Sequence, residues 1–213
     1  NDFATWNNYS NQYWPAKYLI DKNGQIRYFH FGEGKYEETE KAIQELLKET
    51  GQTIDSQLSE MPDETPKIRF SPETYLGSNR MQYYYPGGNT GNVSKNFTLS
   101  DNIIYNSFGL GGNWEIEEES ATAGKNAVLN YNFYANKVFL VMRPGTTKSR
   151  TVKVYLDGKP VNSSNAGSDV QNGIISIDSD RLYNLIDLKG NFGNHILKLE
   201  FGSGIEIFAF TFG

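Results

Sequence analysis

The chain has 213 residues, 38% of them hydrophobic and 21% charged, with a formal net charge of −5 and no cysteine. That is enough apolar material for one large folded domain or two small ones, and it excludes wholesale disorder. The acidic balance argues against nucleic acid as a partner, because phosphate binding draws on a Lys- and Arg-rich stripe; the lack of cysteine excludes disulfides and thiol catalysis by this chain's own residues.

In chain order, residues 2–12 (DFATWNNYSNQ) place Phe3, Trp6 and Tyr9 or Tyr13 at helical spacing and read as a short helix or the tail of one. Pro15 precedes a short apolar run, Ala16 to Ile20. Asp21-Lys-Asn-Gly24 then predicts a hairpin, since Asn and Gly tolerate positive φ, and Gln25 to Phe31 is the return strand. Gly32-Glu-Gly34 breaks it. Residues 36–49 predict an amphipathic helix: Tyr36, Ile43, Leu46 and Leu47 share a face, Glu37, Glu38 and Glu40 favour its N-terminal end, and Gly51 suits the C′ position. Residues 51–66 have no period and end in acidic residues and proline, as a linker would.

The rest reads as strands. Candidates are Tyr83–Tyr85, Asn96–Leu99, Ile104–Phe108, Trp114–Glu118, Ala127–Ala135, Lys137–Arg143, Thr151–Leu156, Gly173–Ile177, Ile196–Phe201 and Ile205–Phe212. Breakers such as Pro86-Gly-Gly88, Gly111-Gly-Asn113 and Gly202-Ser-Gly204 separate them. Leu129, Tyr131 and Phe133 alternate with Asn130 and Asn132, as do Val152, Val154 and Leu156 with Lys153 and Tyr155. Short punctuated strands without a long helix predict a β-sandwich. No apolar run approaches the roughly 20 residues of a membrane helix, and an Asn in place of an initiator Met reads as a processed, proteolytic or engineered end.

Several segments carry a family likeness: Trp14-Pro-Ala-Lys-Tyr-Leu-Ile-Asp21, Gly24, Ile26-Arg27 and His30-Phe-Gly-Glu-Gly34, then Pro72-Glu-Thr-Tyr-Leu-Gly77 with Arg80, Gly112-Asn-Trp114, Leu156-Asp-Gly158, Arg181-Leu-Tyr183 and Phe208-Ala-Phe-Thr-Phe-Gly213. In this order they resemble the C-terminal region of the DipZ-type cytochrome c biogenesis proteins. There, a thioredoxin-like (TlpA-like) domain precedes a jelly roll similar to carbohydrate-binding modules. The resemblance implies an extracytoplasmic thiol-disulfide oxidoreductase of redox homeostasis, held to the membrane only through the parent protein's anchor, with protein disulfides as substrates. It implies 1–50 as the C-terminal half of the thioredoxin-like domain, 51–66 as linker and 67–213 as the β-sandwich. The fold class expected is mainly β, a sandwich preceded by a truncated ββα half-domain. The half that carries Cys-x-x-Cys is missing, so this chain is expected to be non-catalytic.

By the same resemblance Pro15 is the cis-proline that lies against the dithiol, and Trp14 offers its backbone to an extended peptide substrate. Read from the residues alone, Pro15 is a trans-proline at a strand start. Ligand stacking would need exposed rings, and the candidates are Tyr83, Tyr84, Tyr85 and Trp114, with Tyr131, Tyr134 and Tyr155 behind them; Trp114 is also a natural core residue. His30 and His195 read as structural. Glu115, Glu117 and Glu119 form a wet strand face. No cofactor is called for, although Asp157, Asp169, Asp178 and Asp180 are loop carboxylates that suit a structural calcium. A glycan- or cell-wall-binding module without a redox role is the alternative function; a hydrolase would need paired carboxylates that no spacing singles out. About 50 residues with half a sheet bury too little to stand alone. The face of Tyr36, Ile43, Leu46 and Leu47, or the strand at Leu19 and Ile20, is therefore expected to find cover elsewhere, a second copy in a dimer being one source.

Overall fold

The computed structural model opens with a short helix, α1 (Ala4–Asn8), and a hairpin of β1 (Ala16–Ile20) and β2 (Ile26–Phe31), followed by a helix α2 (Tyr36–Glu49). The structure describes residues 4–54, 57–59, 69–145 and 151–213; Phe3, and residues 55–56 and 60–66 of the expected linker, lie outside them. The chain divides into two units, Asn1–Arg69 and Phe70–Gly213.

In the first unit the turn is built by Asp21. Its Oδ1 accepts the backbone N–H groups of Asn23 and Gln25 at 2.9 and 3.0 Å, and Gly24 sits at φ +80. Those N–H groups, Gln25 first, hold the Asp21 carboxyl below its usual range, with help from Arg27. Arg27 also forks onto Glu49 at 2.9 Å in both arms, tying the hairpin to the end of α2. The register pairs Ala16 with Phe31 and Tyr18 with Phe29, so these four share one face, and Lys17, Leu19, Tyr28 and His30 share the other. The helix lies on the second face: Tyr28 Oη is 3.3 Å from Thr39 Oγ1, and Lys17 Nζ sits 4.6 Å from the Tyr36 ring centre. Among the described residues of this unit only Gly34 is buried. Phe29, Phe31, Ile20, Ile26, Tyr36, Ile43 and Leu47 all stay exposed.

Among its described residues the second unit holds twelve strands: β3 (Thr74–Tyr75), β4 (Val93–Phe97), β5 (Ser107–Ile116), β6 (Ala121–Ala123), β7 (Val128–Ala135), β8 (Lys137–Arg143), β9 (Thr151–Leu156), β10 (Lys159–Pro160), β11 (Ile174–Ser176), β12 (Arg181–Asp187), β13 (Gly193–Phe201) and β14 (Glu206–Phe212). The hydrogen-bonded order is β10-β9-β13-β7-β5-β6-β14-β8-β12, with β11 on β9, β3 on β14 and β4 on β5. Every pairing between these strands is antiparallel. The unit is a β-sandwich, and the expected alternation is its core: Leu129, Tyr131, Phe133 and Ala135 of β7 face Ile207 and Phe210 of β14 across the layers, all buried. Tyr131 stacks on Phe210 and Phe212 at 5.2 and 5.3 Å, and its hydroxyl meets Thr74 Oγ1 at 2.7 Å. Burial pushes its phenol far above the usual tyrosine range.

Three expectations are corrected. Ile104–Phe108 and Trp114–Glu118 are not two strands split by Gly111-Gly112; they are replaced by one strand, β5, whose first half pairs with β7 and whose second half pairs with β4 and β6. Gly112, at φ +76, is where it changes sheet. Tyr83–Tyr85 is not a strand either: a single bridge joins Tyr84 to Phe108, and a turn at Pro86-Gly87 begins at once, closed by Gly88 N–H donating to Tyr84 O at 3.0 Å. The missing strand β12 escaped notice because a register shift between Asn184 and Ile186 buries Leu185 and Ile186 side by side and breaks its period of two.

Gly112 tests the crossing. A Cβ there would lie 2.0 Å from Asn126 O, on top of the strain of positive φ, whereas Gly158, also at φ +76, has nothing within 4 Å. Gly112→Ala is expected to lose about 3 kcal/mol or more of stability in denaturant unfolding, and Gly158→Ala about 1 kcal/mol.

Candidate functional site

The loop before β1 gathers aromatic side chains. The Trp14–Pro15 peptide is cis. The Trp14 side chain is 85% exposed and its ring stacks on Trp6 at 6.3 Å. Tyr13 stacks on Phe31 at 4.6 Å, and Tyr9 packs on Tyr18 at 4.8 Å. Tyr18 Oη donates to Asn11 Oδ1 at 3.0 Å while Asn11 Nδ2 donates to Tyr13 O at 2.8 Å, which fixes the approach to Trp14. Beyond it, Gly32 N–H donates to Pro15 O at 2.8 Å. The loop presents a flat ring and backbone at the end of an open hairpin. It holds no thiol, for the chain has no cysteine, and His30, whose Nε2 is 3.3 Å from Glu33 O, faces the loop after β2. The spacing of Trp6 and Phe31 was legible in the sequence; their meeting with Trp14 and Tyr13 was not, since it depends on how the chain before Pro15 folds back.

The second group of candidates does not come together as a stacking platform. Trp114 is 1% exposed, packs edge-on against Phe201 at 5.3 Å and donates its Nε1–H to Gly111 O at 2.9 Å. A ring enclosed on all sides cannot stack on a ligand, so that expectation is corrected; Tyr131, wholly buried, is corrected for the same reason. Tyr84 packs against Phe97 and Phe108, and Tyr83, Tyr85, Tyr134 and Tyr155 are half-buried. Tyr105, exposed on the next loop, was not singled out in the sequence.

His195 Nδ1 lies 2.7 Å from Asp157 Oδ2, whose Oδ1 accepts Ile196 N–H at 2.9 Å, so the pair pins a turn to β13. Asp169 and Asp178 meet Arg181 at 2.9 and 3.4 Å, and Asp180 meets Arg143 at 3.0 Å. Among the described residues no three His, Asp or Glu side chains gather into a group that could hold a metal ion. Glu115, Glu117 and Glu119 are all exposed.

Between β4, β5 and β6 lies a groove of about 420 Å3, lined by Ser94, Asn96, Asn113, Glu115, Thr122 and Lys125 among others. Ser94 pairs with Glu115 and Glu115 with Thr122, while Asn96 pairs with Asn113. These side chains point outward because their neighbours Trp114, Ile116, Ala121 and Ala123 point into the core.

Residues 71–213 match the family model described as thioredoxin like C-terminal domain. Over its whole length the chain is 33% identical to Protein DipZ of Mycobacterium bovis and to Protein DipZ of Mycobacterium tuberculosis, and it spans 29% of the length of each. Among solved structures, part of the chain is similar to a CBM35 from Paenibacillus barcinonensis, at 12% identity and a TM-score of 0.32, covering 66% of this chain and 96% of that one. A family two carbohydrate esterase from Cellvibrio japonicus is similar at 12% identity and a TM-score of 0.36, over 65% of this chain and 32% of that one.

The two tryptophans make opposite predictions. Trp114→Ala should lose about 3–5 kcal/mol in chemical unfolding through the cavity it leaves. Trp14→Ala should change stability by no more than about 0.5 kcal/mol and should remove fluorescence that iodide quenches readily.

Proposed function

The chain belongs to the family of thioredoxin like C-terminal domains, and on that premise we propose that it is the non-catalytic C-terminal portion of a DipZ-like, extracytoplasmic thiol-disulfide oxidoreductase of redox homeostasis or cytochrome c biogenesis. The observation that carries the reading is the first unit's open apolar surface. A hairpin with apolar side chains on both faces and a helix with an exposed Ile43 and Leu47 lack the cover that a sheet of more strands provides. A preceding strand–helix–strand half with a Cys-x-x-Cys pair is that cover. The whole protein's reaction would then be dithiol–disulfide exchange: a thiolate of the pair attacks a substrate disulfide, one substrate sulfur leaves as thiolate, and the second cysteine displaces the other, so that the enzyme dithiol is oxidised and the substrate disulfide reduced. Both cysteines would lie outside these 213 residues. Trp14 and Pro15 would border the dithiol and meet the extended substrate chain, with the Trp14 ring free to pack on it. Among the described residues no helix is long and apolar enough to cross a membrane, so any anchor would come from elsewhere in the parent.

A second reading, a glycan- or cell-wall-binding module without a redox role, is favoured by one observation, the polar groove over β4, β5 and β6.

The redox reading is tested in two steps. The gene upstream of Asn1 should encode a Cys-x-x-Cys pair within one domain's length, and its absence would overturn the proposal. The purified chain as it stands should not reduce insulin disulfides in the presence of dithiothreitol above the uncatalysed rate, and turnover by it would equally overturn the assignment of the chemistry to an upstream half.

A further inference from the structure

We propose that the groove over β4, β5 and β6 is a binding site for a neutral, polyhydroxylated ring, such as one residue of an uncharged oligosaccharide. The inference rests on the second reading and names its site and ligand class. Its floor is built in two tiers. One is Ser94–Glu115–Thr122 across the three strands, and the other is Asn96–Asn113 continued by Gly124. Adjacent strands lie about 4.8 Å apart and successive outward residues about 6.6 Å apart, so the floor measures about 10 by 7 Å. That is the footprint of a single sugar ring.

The chemistry of the floor is specific. It offers two hydroxyls, two carboxamides, one carboxylate and the Lys125 ammonium at its rim. None of Ser94, Asn96, Asn113, Glu115, Thr122 and Lys125 spends its side chain on a hydrogen bond or an ion pair among the described residues. Several charged side chains elsewhere on this sandwich are paired: Arg143 with Asp180 and Glu206, Arg181 with Asp169 and Asp178, Lys198 with Glu200. Five of these side chains stand on strands and Lys125 on the turn after β6, an array set in advance for a ligand with donors and acceptors at fixed spacing. Carboxamides present a donor and an acceptor side by side, which matches vicinal hydroxyls, and Glu115 accepts from two of them at once. An anion would meet Glu115, and a bare cation would find one carboxylate with Lys125 at the rim, so charge selects a neutral ligand.

The backbone supports the same assignment. Gly124 stands beside Asn113, where a Cβ would come within 2.8 Å of Asn113 Cβ. Gly124 therefore keeps the floor level next to the central carboxamide. Asn113 O accepts Gly124 N–H at 2.8 Å and Asn113 N–H donates to Lys125 O at 3.1 Å, so the strand ends that frame the groove are fixed. No exposed aromatic lies on the floor, since Trp114 points inward. Recognition would come from hydrogen bonds rather than ring stacking, and the aromatic cluster at Tyr83 to Tyr85 is not needed.

The test uses the full chain with three probes, cellopentaose, xylopentaose and mannopentaose, and glycerol as a small-polyol control. Saturable calorimetric binding of at least one pentasaccharide is expected, with nitrogen–proton shifts concentrated on the Asn96 and Asn113 side-chain amides and on the backbone of Thr122 and Gly124. Asn113→Ala and Glu115→Gln should each weaken binding about tenfold with the thermal midpoint unchanged, because both side chains are exposed. Binding whose shifts map to Tyr83, Tyr84, Tyr85 and Tyr105 and that survives both substitutions would overturn the groove as the site while leaving the module a glycan binder. No saturable binding of any pentasaccharide would overturn the groove's ligand class and the second reading together.

Discussion

Apolar surface must be covered, and this requirement organises one part of the chain and is left unmet in the other. In the sandwich each sheet supplies the cover for the other: Tyr131 and Phe133 of β7 stack against Phe210 and Phe212 of β14, and Trp114 of β5 meets Phe201 of β13. Each buried ring of this kind contributes on the order of 2–3 kcal/mol, which is how a unit without disulfides holds together. The hairpin has α2 on one face only, and among the described residues its other face, with Phe29 and Phe31, stays exposed. The ion pairs of the hairpin and α2 do not substitute for that cover. Arg27 with Glu49 and Asp21 is a well-formed network, but Arg27 and Glu49 are open to solvent, and pairs of that kind add little.

The strand β5 is the joint of the sandwich. By running from one sheet into the other at Gly112 it removes a loop that would otherwise connect them, and it places Asn113 and Glu115 on the outer face immediately after the crossing. The close approach that demands a glycine at 112 thus also sets the floor of the groove. In the first unit the comparable joint is the chain before β1. There Asn11 and Tyr18 fix a segment that exposes Trp14 with neighbouring rings around it. Among the described residues the aromatic loop and the hairpin beside it leave a contiguous apolar surface open.

Much of this was legible from residue order. The helix at 36–49, the hairpin at Asn23-Gly24, β8 and β9 follow from period and punctuation, and the inward set of β7 follows from strict alternation. What was not legible follows from three-dimensional causes. Gly111-Gly112 signals a break in any window of sequence, and only the presence of Asn126 beside it makes it a crossing. β12 hides its pattern behind a bulge. Tyr83 to Tyr85 look like a strand because aromatic residues favour strands, but the turn at Pro86-Gly87 limits their pairing to the single bridge at Tyr84. For the sites, Trp14 and Pro15 were visible through family likeness alone. The groove was invisible, because its members come from β4, β5 and β6 and carry no motif. For Trp114 the core reading holds and the stacking reading does not, a choice set by side-chain direction on a strand and hence by a register that residue type does not reveal.

The central claim is that the first unit has no core of its own among its described residues. Amide hydrogen exchange, read peptide by peptide on the dilute, monomeric chain, tests it most directly. The account predicts that β1, β2 and α2 exchange within seconds while β5, β7 and β13 stay protected up to the stability of the whole sandwich. Protection of β1 and β2 equal to that of β7 in the monomer would contradict it.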